Sequence, residues 1–319
     1  RRPAPPRPLQ NRAHELTWGA RGMPRLAAGL LLGPLLAGPS AALRLQPDTP
    51  APELFFMHLP KAAGDSFLSD APRYAGKGLH GAETNYCKAA NHDGVNRSVV
   101  TMMRDPRSQV LSMYFHCKTS HEYISNNWTW RMPDRIADWL SPWMWAGAGS
   151  ESLLHQFCCY DPVNLQSRRL SCSGTFETAK QHLKDAYFVG LVEFYHLSLC
   201  VFGSKVNGTL PAGCSCSDAS DHSGRQHDHR LDHGVQLHSS SHLPALHLEM
   251  IDELTKEDGK LYEQARKRLL AEVMELERRH RTKLVCGEER LQLMGPRPRA
   301  LHQVRARAPA RPPRHQPLV

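Results

Sequence analysis

Short apolar runs that end at loop-forming residues are the main pattern along the first half of the chain. Leu54–His58 is one such run and ends just before Pro60, and Ser98–Met103 is a second. Each run has the length of a buried strand, and a helical pattern follows each one. Pro106 suits the first turn of the second helix. Two strand–loop–helix units in succession predict an α/β fold with a doubly wound parallel sheet flanked by helices.

The second half of the chain adds one more strand and several helices. Tyr187–Leu191 has the composition of a short core strand. Helical spacing of apolar positions predicts helices over residues 133–145, 150–159, 193–202 and 250–281. Residues 213–241 are rich in His, Ser and Asp and predict an exposed loop. In doubly wound sheets, ligands bind at the carboxyl ends of the strands, so candidate site residues are sought there.

The two ends of the chain differ in composition from the middle. The stretch after Met23 has Arg25 followed by about 18 mostly apolar residues, which is typical of a signal peptide or a signal anchor. The Arg/Pro-rich residues before Met23 are excluded from the fold. The predicted organisation is an extension over 1–22, a signal segment over 23–45, a linker over 46–52, one domain over 53–290 and a disordered basic tail over 291–319.

Net charge argues against a nucleic-acid partner. The chain carries +9 at pH 7, but the two Arg-rich ends account for all of it, and residues 23–294 carry −1. A nucleic-acid-binding domain would show a basic face on its folded part. Sequons at Asn96, Asn127 and Asn207 agree instead with a lumenal route.

Nine cysteines suit an oxidising compartment and predict structural disulfides, with at least one thiol left unpaired. Pairs of Cys158 or Cys159 with Cys172 or Cys200 are plausible, although spacing does not fix connectivity. Zinc is the alternative, because His is abundant between His222 and His247. The chain has no Cys-x-x-Cys pair to anchor a zinc site, however.

The loop after the first strand has the features of an anion site. A strand delivers small residues that open a helix, so backbone N–H groups and the helix dipole point toward one place. Lys61 adds a positive charge and Ser66 a hydroxyl. Ala62 stands where an ATP-hydrolysing P-loop has a magnesium-binding hydroxyl, so a metal is not expected and a kinase-like nucleotide enzyme is disfavoured.

A second anion-binding element follows the second strand. Arg104 stands at the strand end, and Ser112 lies eight residues later, two turns into the next helix. Together they can hold another phosphate. The sequence around the two elements reads FMHLPKAAGDSF and RDPRSQVLSMY.

At these residues the chain resembles the sulfotransferase superfamily, closest to Golgi glycan sulfotransferases of the heparan sulfate 2-O and 6-O type and to short algal and invertebrate relatives. The resemblance covers about residues 54–286, including the stretches NLQSRRL, FVGLVE and LTKEDGKLY. It implies a P-loop-like sulfotransferase fold and transfer of a sulfuryl group from 3′-phosphoadenosine 5′-phosphosulfate to a hydroxyl, on a glycan. It also implies a location in the Golgi lumen, as a type II membrane protein held by the N-terminal segment, or secretion after its cleavage.

The resemblance implies a role for each residue of the two elements. Lys61 would contact the phosphosulfate and steady the leaving phosphate, while Arg104, Ser112 and Arg168 belong to the donor site. The first loop and helix start would cradle the phosphosulfate, through Ala62, Ala63, Gly64, Asp65, Ser66 and Phe67.

Two residues depart from the family pattern. Asp65 replaces a Thr, and Gln109 stands where many members have a second Arg. Both weaken anion binding unless Asp65 points away and Arg107 substitutes. The alternative to an enzyme is therefore a non-catalytic lumenal protein that keeps the fold and binds glycans.

Two residues are candidates for the base that takes the acceptor proton. The resemblance favours His80, which precedes Arg104 by 24 residues, and Glu83 is the alternative. His58 is expected to orient the loop. Several tryptophans could stack on sugar rings or pack in the core, namely Trp128, Trp130, Trp139, Trp143 and Trp145.

Overall fold

The computed structural model describes residues 53–216, 235, 238–286 and 288–295. The predicted extension 1–22, the signal segment 23–45, the linker 46–52 and all but the start of the basic tail 291–319 lie outside these residues. Most of the predicted loop over 213–241 lies outside them as well. Within the described ranges, no helix is both long and apolar enough to cross a membrane.

A four-stranded, fully parallel sheet is the centre of the fold. Its strands are β1 Leu54–His58, β2 His80–Glu83, β5 Ser98–Met103 and β6 Phe188–Leu191, in the spatial order β2-β1-β5-β6. A small antiparallel ribbon of β3 Asn91–His92 and β4 Val95–Asn96 is not hydrogen-bonded to this sheet. The predicted α/β class with a parallel sheet is confirmed.

The three strands predicted from apolar runs are the buried ones. The middle of β1, most of β5 and all of β6 are buried, which is why they appear as continuous apolar stretches. Strand β2 was not predicted. It is a mostly exposed edge strand of sequence His-Gly-Ala-Glu, held through its backbone pairing with β1.

Twelve α-helices are described. They are α1 Gly64–Ala75, α2 Tyr86–Ala90, α3 Pro106–Thr119, α4 His121–Ser125, α5 Ile136–Ala146, α6 Glu151–Phe157, α7 Leu165–Ser171, α8 Phe176–Asp185, α9 Tyr195–Asn207, α10 Ala245–Leu254, α11 Lys256–His280 and α12 Glu288–Met294. Helix α3 begins at Pro106 as predicted. The continuous helical region predicted over 250–281 is instead two helices that meet at Thr255, whose hydroxyl caps the end of α10 by donating to the carbonyl of Ile251 (2.7 Å).

Two hydrophobic cores support these layers. The first surrounds the sheet and includes α1, α9 and one face of α11, with Phe56, Phe67, Phe188 and Phe202 packed ring against ring. The second lies among α3, α5, α6 and α10 and contains Trp139 and Trp143, which are fully buried. These two tryptophans are therefore core residues rather than ligand contacts.

Helices α7 and α11 cap each other. Asn164 precedes α7, and its Oδ1 accepts from the amides of Glu257 (2.9 Å) and Asp258 (3.3 Å) in the first turn of α11. In return, the buried Asp258 carboxylate accepts from the amides of Gln166 (3.1 Å) and Ser167 (2.7 Å) in α7. Amides at helix starts lack partners within the helix, so each helix satisfies those of the other.

Four disulfides are present, which confirms that the domain uses its cysteines in this way. The pairs are Cys87–Cys172, Cys117–Cys159, Cys200–Cys214 and Cys216–Cys286. Cys158 is the unpaired thiol. The predicted pairing of Cys158 or Cys159 with Cys172 or Cys200 is wrong, because the fold brings α3 to Cys159, α2 to Cys172 and the segment after α9 to Cys200.

Candidate functional site

The candidate site lies at the point where the strand order of the sheet reverses. From β1 the chain runs through α1 to the neighbouring strand β2 on one side, and then crosses to β5 on the other side of β1. In sheets of this kind the ligand usually binds in a crevice between the loops that leave the two strands at such a point. Lys61 follows β1 and Arg104 follows β5, so the topology brings the two predicted anion-binding elements together.

The loop after β1 turns sharply into α1. Lys61 and Ala63 both have left-handed backbone conformations, with φ of 59° and 57°. Helix geometry leaves the amides of Gly64, Asp65 and Ser66 without acceptors inside α1, and the first amide bonded within the helix is that of Phe67, to Ala63 (2.9 Å). The loop therefore directs a set of N–H groups toward the crevice.

His58 fixes this turn by packing on Gly64. A Cβ at Gly64 would lie 1.9 Å from Cδ2 of the His58 ring, so only glycine fits. The same ring is 3.9 Å from a carboxylate oxygen of Asp65 through Nδ1. His58 thus positions the loop, as predicted, and Asp65 is turned toward His58 with half of its side chain exposed.

Arg104 holds the same loop from the β5 side. Its Nη1 donates to the carbonyl of Lys61 (3.1 Å). The backbone of Arg104 is gripped by the buried Gln166 side chain, which accepts from its N–H (3.1 Å) and donates to its C=O (2.8 Å). Gln109 donates to the carbonyl of Pro60 (2.8 Å), so it braces the loop from α3.

Lys61 is the mobile cation of the site. Its burial, together with the neighbouring charge of Arg104, lowers the pKa of Lys61 to about 8, although Asp65, Glu122 and Glu83 act in the opposite direction. Among the described residues, Lys61 Nζ has no hydrogen-bond or ion-pair partner. An amine that is held close to carboxylates but bonded to none of them is available to an anionic ligand.

The two candidate bases lie at opposite ends of β2. Glu83 pairs in register with His58 at the carboxyl end, whereas His80 pairs with Phe55 at the other end. They are three residue steps apart along the strand, which corresponds to ~10 Å. Partial burial raises the pKa of Glu83, while Arg169, whose Nη2 is 3.4 Å from the carboxylate, opposes the rise. The structure brings Glu83 to the Lys61 loop and does not bring His80 there.

Several predicted residues are engaged elsewhere. Phe67 lies in the core and its amide is used within α1. Arg168 bonds Val163 and forms an ion pair with Asp161 (2.8 Å). Arg107 forms a bidentate pair with Asp252, so it does not replace the missing second arginine.

Ser112 and Ala62 stay close to the predicted elements. Ser112 is almost buried in α3, and its hydroxyl bonds no other described residue. Ala62 is buried, and its amide donates back to Leu59 (3.2 Å). Neither side chain is charged, so the positive charge near the loop comes from Lys61 and Arg104.

Five residues near the loop had no role assigned from the sequence: Glu122, Tyr123, Tyr160, Gln166 and Arg169. The first three come from α4 and from the segment between α6 and α7, and the last two lie on α7. Only the positions of Gln166 and Arg169, beside Arg168 in the stretch NLQSRRL, offered a signal in the sequence. The others reach the site through tertiary packing.

Comparison with known proteins identified no relative, since no protein-family model and no curated protein matches this chain.

Proposed function

We propose that this protein is a lumenal sulfotransferase with a sulfotransferase-type fold. It moves a sulfuryl group from 3′-phosphoadenosine 5′-phosphosulfate to a glycan hydroxyl, and it enters the secretory pathway through residues 23–45. The observation that carries the proposal is the contact between the two anion-binding elements, where Arg104 donates to the Lys61 carbonyl at the switch point of a parallel sheet. The resemblance of both sequence elements to sulfotransferase motifs supports the same assignment.

The donor is bound through the two elements. The amides at the start of α1, with Lys61 and Ser66, surround the 5′-phosphosulfate. Arg104 and Ser112 hold the 3′-phosphate, which distinguishes this donor from ATP. Burial of Lys61 and Arg104 in one small region strengthens their attraction for a multiply charged anion.

Chemistry requires in-line placement, a base and stabilisation of the leaving phosphate. Glu83 accepts the acceptor hydroxyl proton while the acceptor oxygen bonds to sulfur. The bond between sulfur and the bridging phosphate oxygen breaks, and its electron pair stays on 3′-phosphoadenosine 5′-phosphate. Lys61 neutralises the charge that grows on that phosphate. Arg169 positions the Glu83 carboxylate.

Calorimetry with 3′-phosphoadenosine 5′-phosphate tests the donor assignment. We expect metal-independent binding in EDTA that is at least tenfold tighter than binding of 5′-AMP, which lacks the 3′-phosphate. Equal affinity for the two nucleotides would contradict the role of Arg104. Binding that requires magnesium and prefers ATP would indicate a kinase-like enzyme instead.

Replacement of the two candidate bases tests the transfer step. With labelled donor and a glycan panel, Glu83→Gln should reduce kcat by ~10²–10⁴ and leave nucleotide affinity nearly unchanged, because the base contacts the acceptor. His80→Ala is the matched control and should retain the wild-type rate. The reverse result would move the base to His80. Nucleotide binding without transfer to any glycan would favour the non-catalytic glycan-binding alternative.

A further inference from the structure

The acceptor side of the site is lined by carboxylates. Asp65, Glu83 and Glu122 each lie near enough to Lys61 to raise its pKa. All three are open to solvent, with side chains 51, 38 and 67% exposed. An acceptor arriving from solution therefore meets solvent-exposed carboxylates close to Lys61.

Of the two arginines nearby, one offsets the charge of Glu83 and the other faces the donor loop. Arg169 is already paired with Glu83. Arg104 bonds the carbonyl of Lys61 and faces the donor loop. Once the anionic donor occupies the loop, its negative charge neutralises Lys61 and Arg104. The region around Glu122 and Asp65 then becomes more negative.

An aromatic wall, formed by Tyr123, Tyr160 and Trp128, lies beside Glu122 and is backed by the ring of His116. The His116 ring lies 5.3 Å from Tyr123 and 6.2 Å from Tyr160, measured between centroids, and its Nε2 is 3.9 Å from Glu122. The disulfide Cys117–Cys159 ties the two halves of this wall together.

The two tyrosines have hydroxyls to offer a ligand. Tyr123 is only 9% exposed, yet neither its hydroxyl nor that of Tyr160 bonds another described residue. Burial raises the pKa of both phenols, and the nearby charges of Glu83 and Glu122 add to the rise. Neither phenol oxygen is itself buried, so both hydroxyls reach the surface and can contact a polar ligand.

Exposed indole rings extend the wall outward. Trp128 packs edge-on against Tyr123 at 5.5 Å and is 40% exposed, and its neighbour Trp130 is 74% exposed. Exposed aromatic surface beside a polar site is typical of a binding surface. The apolar face of a sugar ring packs on such rings, while its hydroxyls reach groups such as the tyrosines.

We propose that the acceptor is an uncharged sugar that binds on the wall formed by Tyr123, Tyr160 and Trp128, and that Glu122, Glu83 and Asp65 exclude acceptors carrying carboxylates or sulfates. This inference rests on the proposed function and assigns its substrate class. A carboxylate on the acceptor would lie within a few ångströms of like charges around a partly buried site, which costs about tenfold or more in transfer efficiency.

Matched polysaccharides test the acceptor class. Transfer from labelled donor is measured for chondroitin and heparosan, for the carboxyl-reduced form of each, and for a linear galactan. We expect kcat/KM to be at least tenfold higher for a neutral member than for any uronate-bearing one. Glu122→Gln should raise the rate for uronate acceptors. The ratio of kcat/KM between neutral and uronate-bearing acceptors should fall to about threefold or less. Glu275→Gln, the same charge change far along α11, should leave the ratio unchanged.

The outcomes separate this inference from the proposed function. Transfer that is faster to the uronate members would overturn the neutral acceptor class while leaving the sulfotransferase assignment intact. Nucleotide binding with no transfer to any neutral member would overturn the acceptor class as well. Failure to bind 3′-phosphoadenosine 5′-phosphate would overturn the proposed function and this inference with it.

Discussion

Arg104 is held in place through its backbone, and its side chain in turn holds the loop that contains Lys61. Its guanidinium holds the carbonyl of Lys61, and its backbone is itself held by Gln166. Arginines bind anions through charge-assisted hydrogen bonds, so the loss of one lowers the affinity for the anion much more than the stability of the fold.

Arg104→Ala should therefore weaken binding of 3′-phosphoadenosine 5′-phosphate by ~2–4 kcal/mol, measured by calorimetry. The far-ultraviolet circular dichroism should remain that of the wild type. Arg278→Ala, an exposed arginine paired only with Glu275, is the matched control and should bind normally. A folded Arg104→Ala protein with unchanged affinity would remove Arg104 from the donor site.

The lowered pKa of Lys61 predicts that activity falls at alkaline pH, which gives the pH profile an alkaline limb. The proposed mechanism requires the charged amine of Lys61, which loses its charge as pH rises through about 8. The value of kcat/KM for the donor should fall through the same range, since this parameter reports the free enzyme. Lys61→Arg keeps its charge at any accessible pH, so its alkaline limb should disappear even if its rate is lower. An unchanged limb in Lys61→Arg would assign it to another group.

How much of the site was predictable depends on how each residue reaches it. Lys61 and Arg104 directly follow buried strands, and apolar runs mark such strands clearly. Glu83 stands on an exposed edge strand whose residues carry no apolar pattern, so its place beside the loop depends on pairing with β1. Tyr160 and Glu122 arrive from elements remote in sequence, and no local pattern encodes that approach.

At the scale of elements, α7 is the part that connects the core to the site. Its start is fixed by the Asp258 carboxylate, while Gln166 holds Arg104 and Arg169 reaches Glu83. Burial raises the pKa of Asp258 to about 6, against the effect of the amide bonds it accepts, so this group is ionised at neutral pH.

Asp258→Asn should lower the free energy of unfolding by about 1–3 kcal/mol, because an amide has one acceptor oxygen for two buried N–H groups and leaves the other N–H facing its own donor. Donor binding should weaken in the same variant, since Gln166 loses its support. Urea denaturation at pH 7 and calorimetry measure the two effects. Asp185→Asn on the exposed end of α8 serves as the control, with a change within about 0.5 kcal/mol. Wild-type stability in Asp258→Asn would show that the capping contributes little.

The elements that differ from prediction do so at their boundaries. The helix predicted over 133–145 begins only at Ile136, and the one over 250–281 is interrupted at Thr255. In the second case the apolar spacing continues across the break, because both helices pack on the interior. Periodicity records the buried face and not the hydrogen bonds that end a helix.

For the whole molecule, the four disulfides join segments far apart in the chain. The separations are 85, 42, 14 and 70 residues for Cys87–Cys172, Cys117–Cys159, Cys200–Cys214 and Cys216–Cys286. Connectivity could not be read from spacing, since it depends on which helices the fold places side by side.

Peptide mapping without reduction should find these four pairs and a single alkylatable thiol at Cys158.

Replacing Cys87 and Cys172 together with serine should cost ~4–5 kcal/mol of stability, and replacing Cys200 and Cys214 ~3 kcal/mol, because a longer closed loop restricts the unfolded chain more. Thermal unfolding of the two double variants provides the comparison. Equal losses would argue against chain entropy as the source, and a different peptide map would contradict the fold around the site.

The mutual capping of α7 and α11 has a consequence for how the molecule opens. Helix ends are normally the first parts to fray, each independently of the others. Here the starts of two helices about 90 residues apart share their amide partners, so neither can unwind without stranding buried N–H groups of the other. We therefore expect the amides of the two helix starts to exchange hydrogen at the same rate, as one unit. Gln166 on α7 also holds the backbone of Arg104, so the segment after β5 is tied to a long-range link that forms only when both helices are in place.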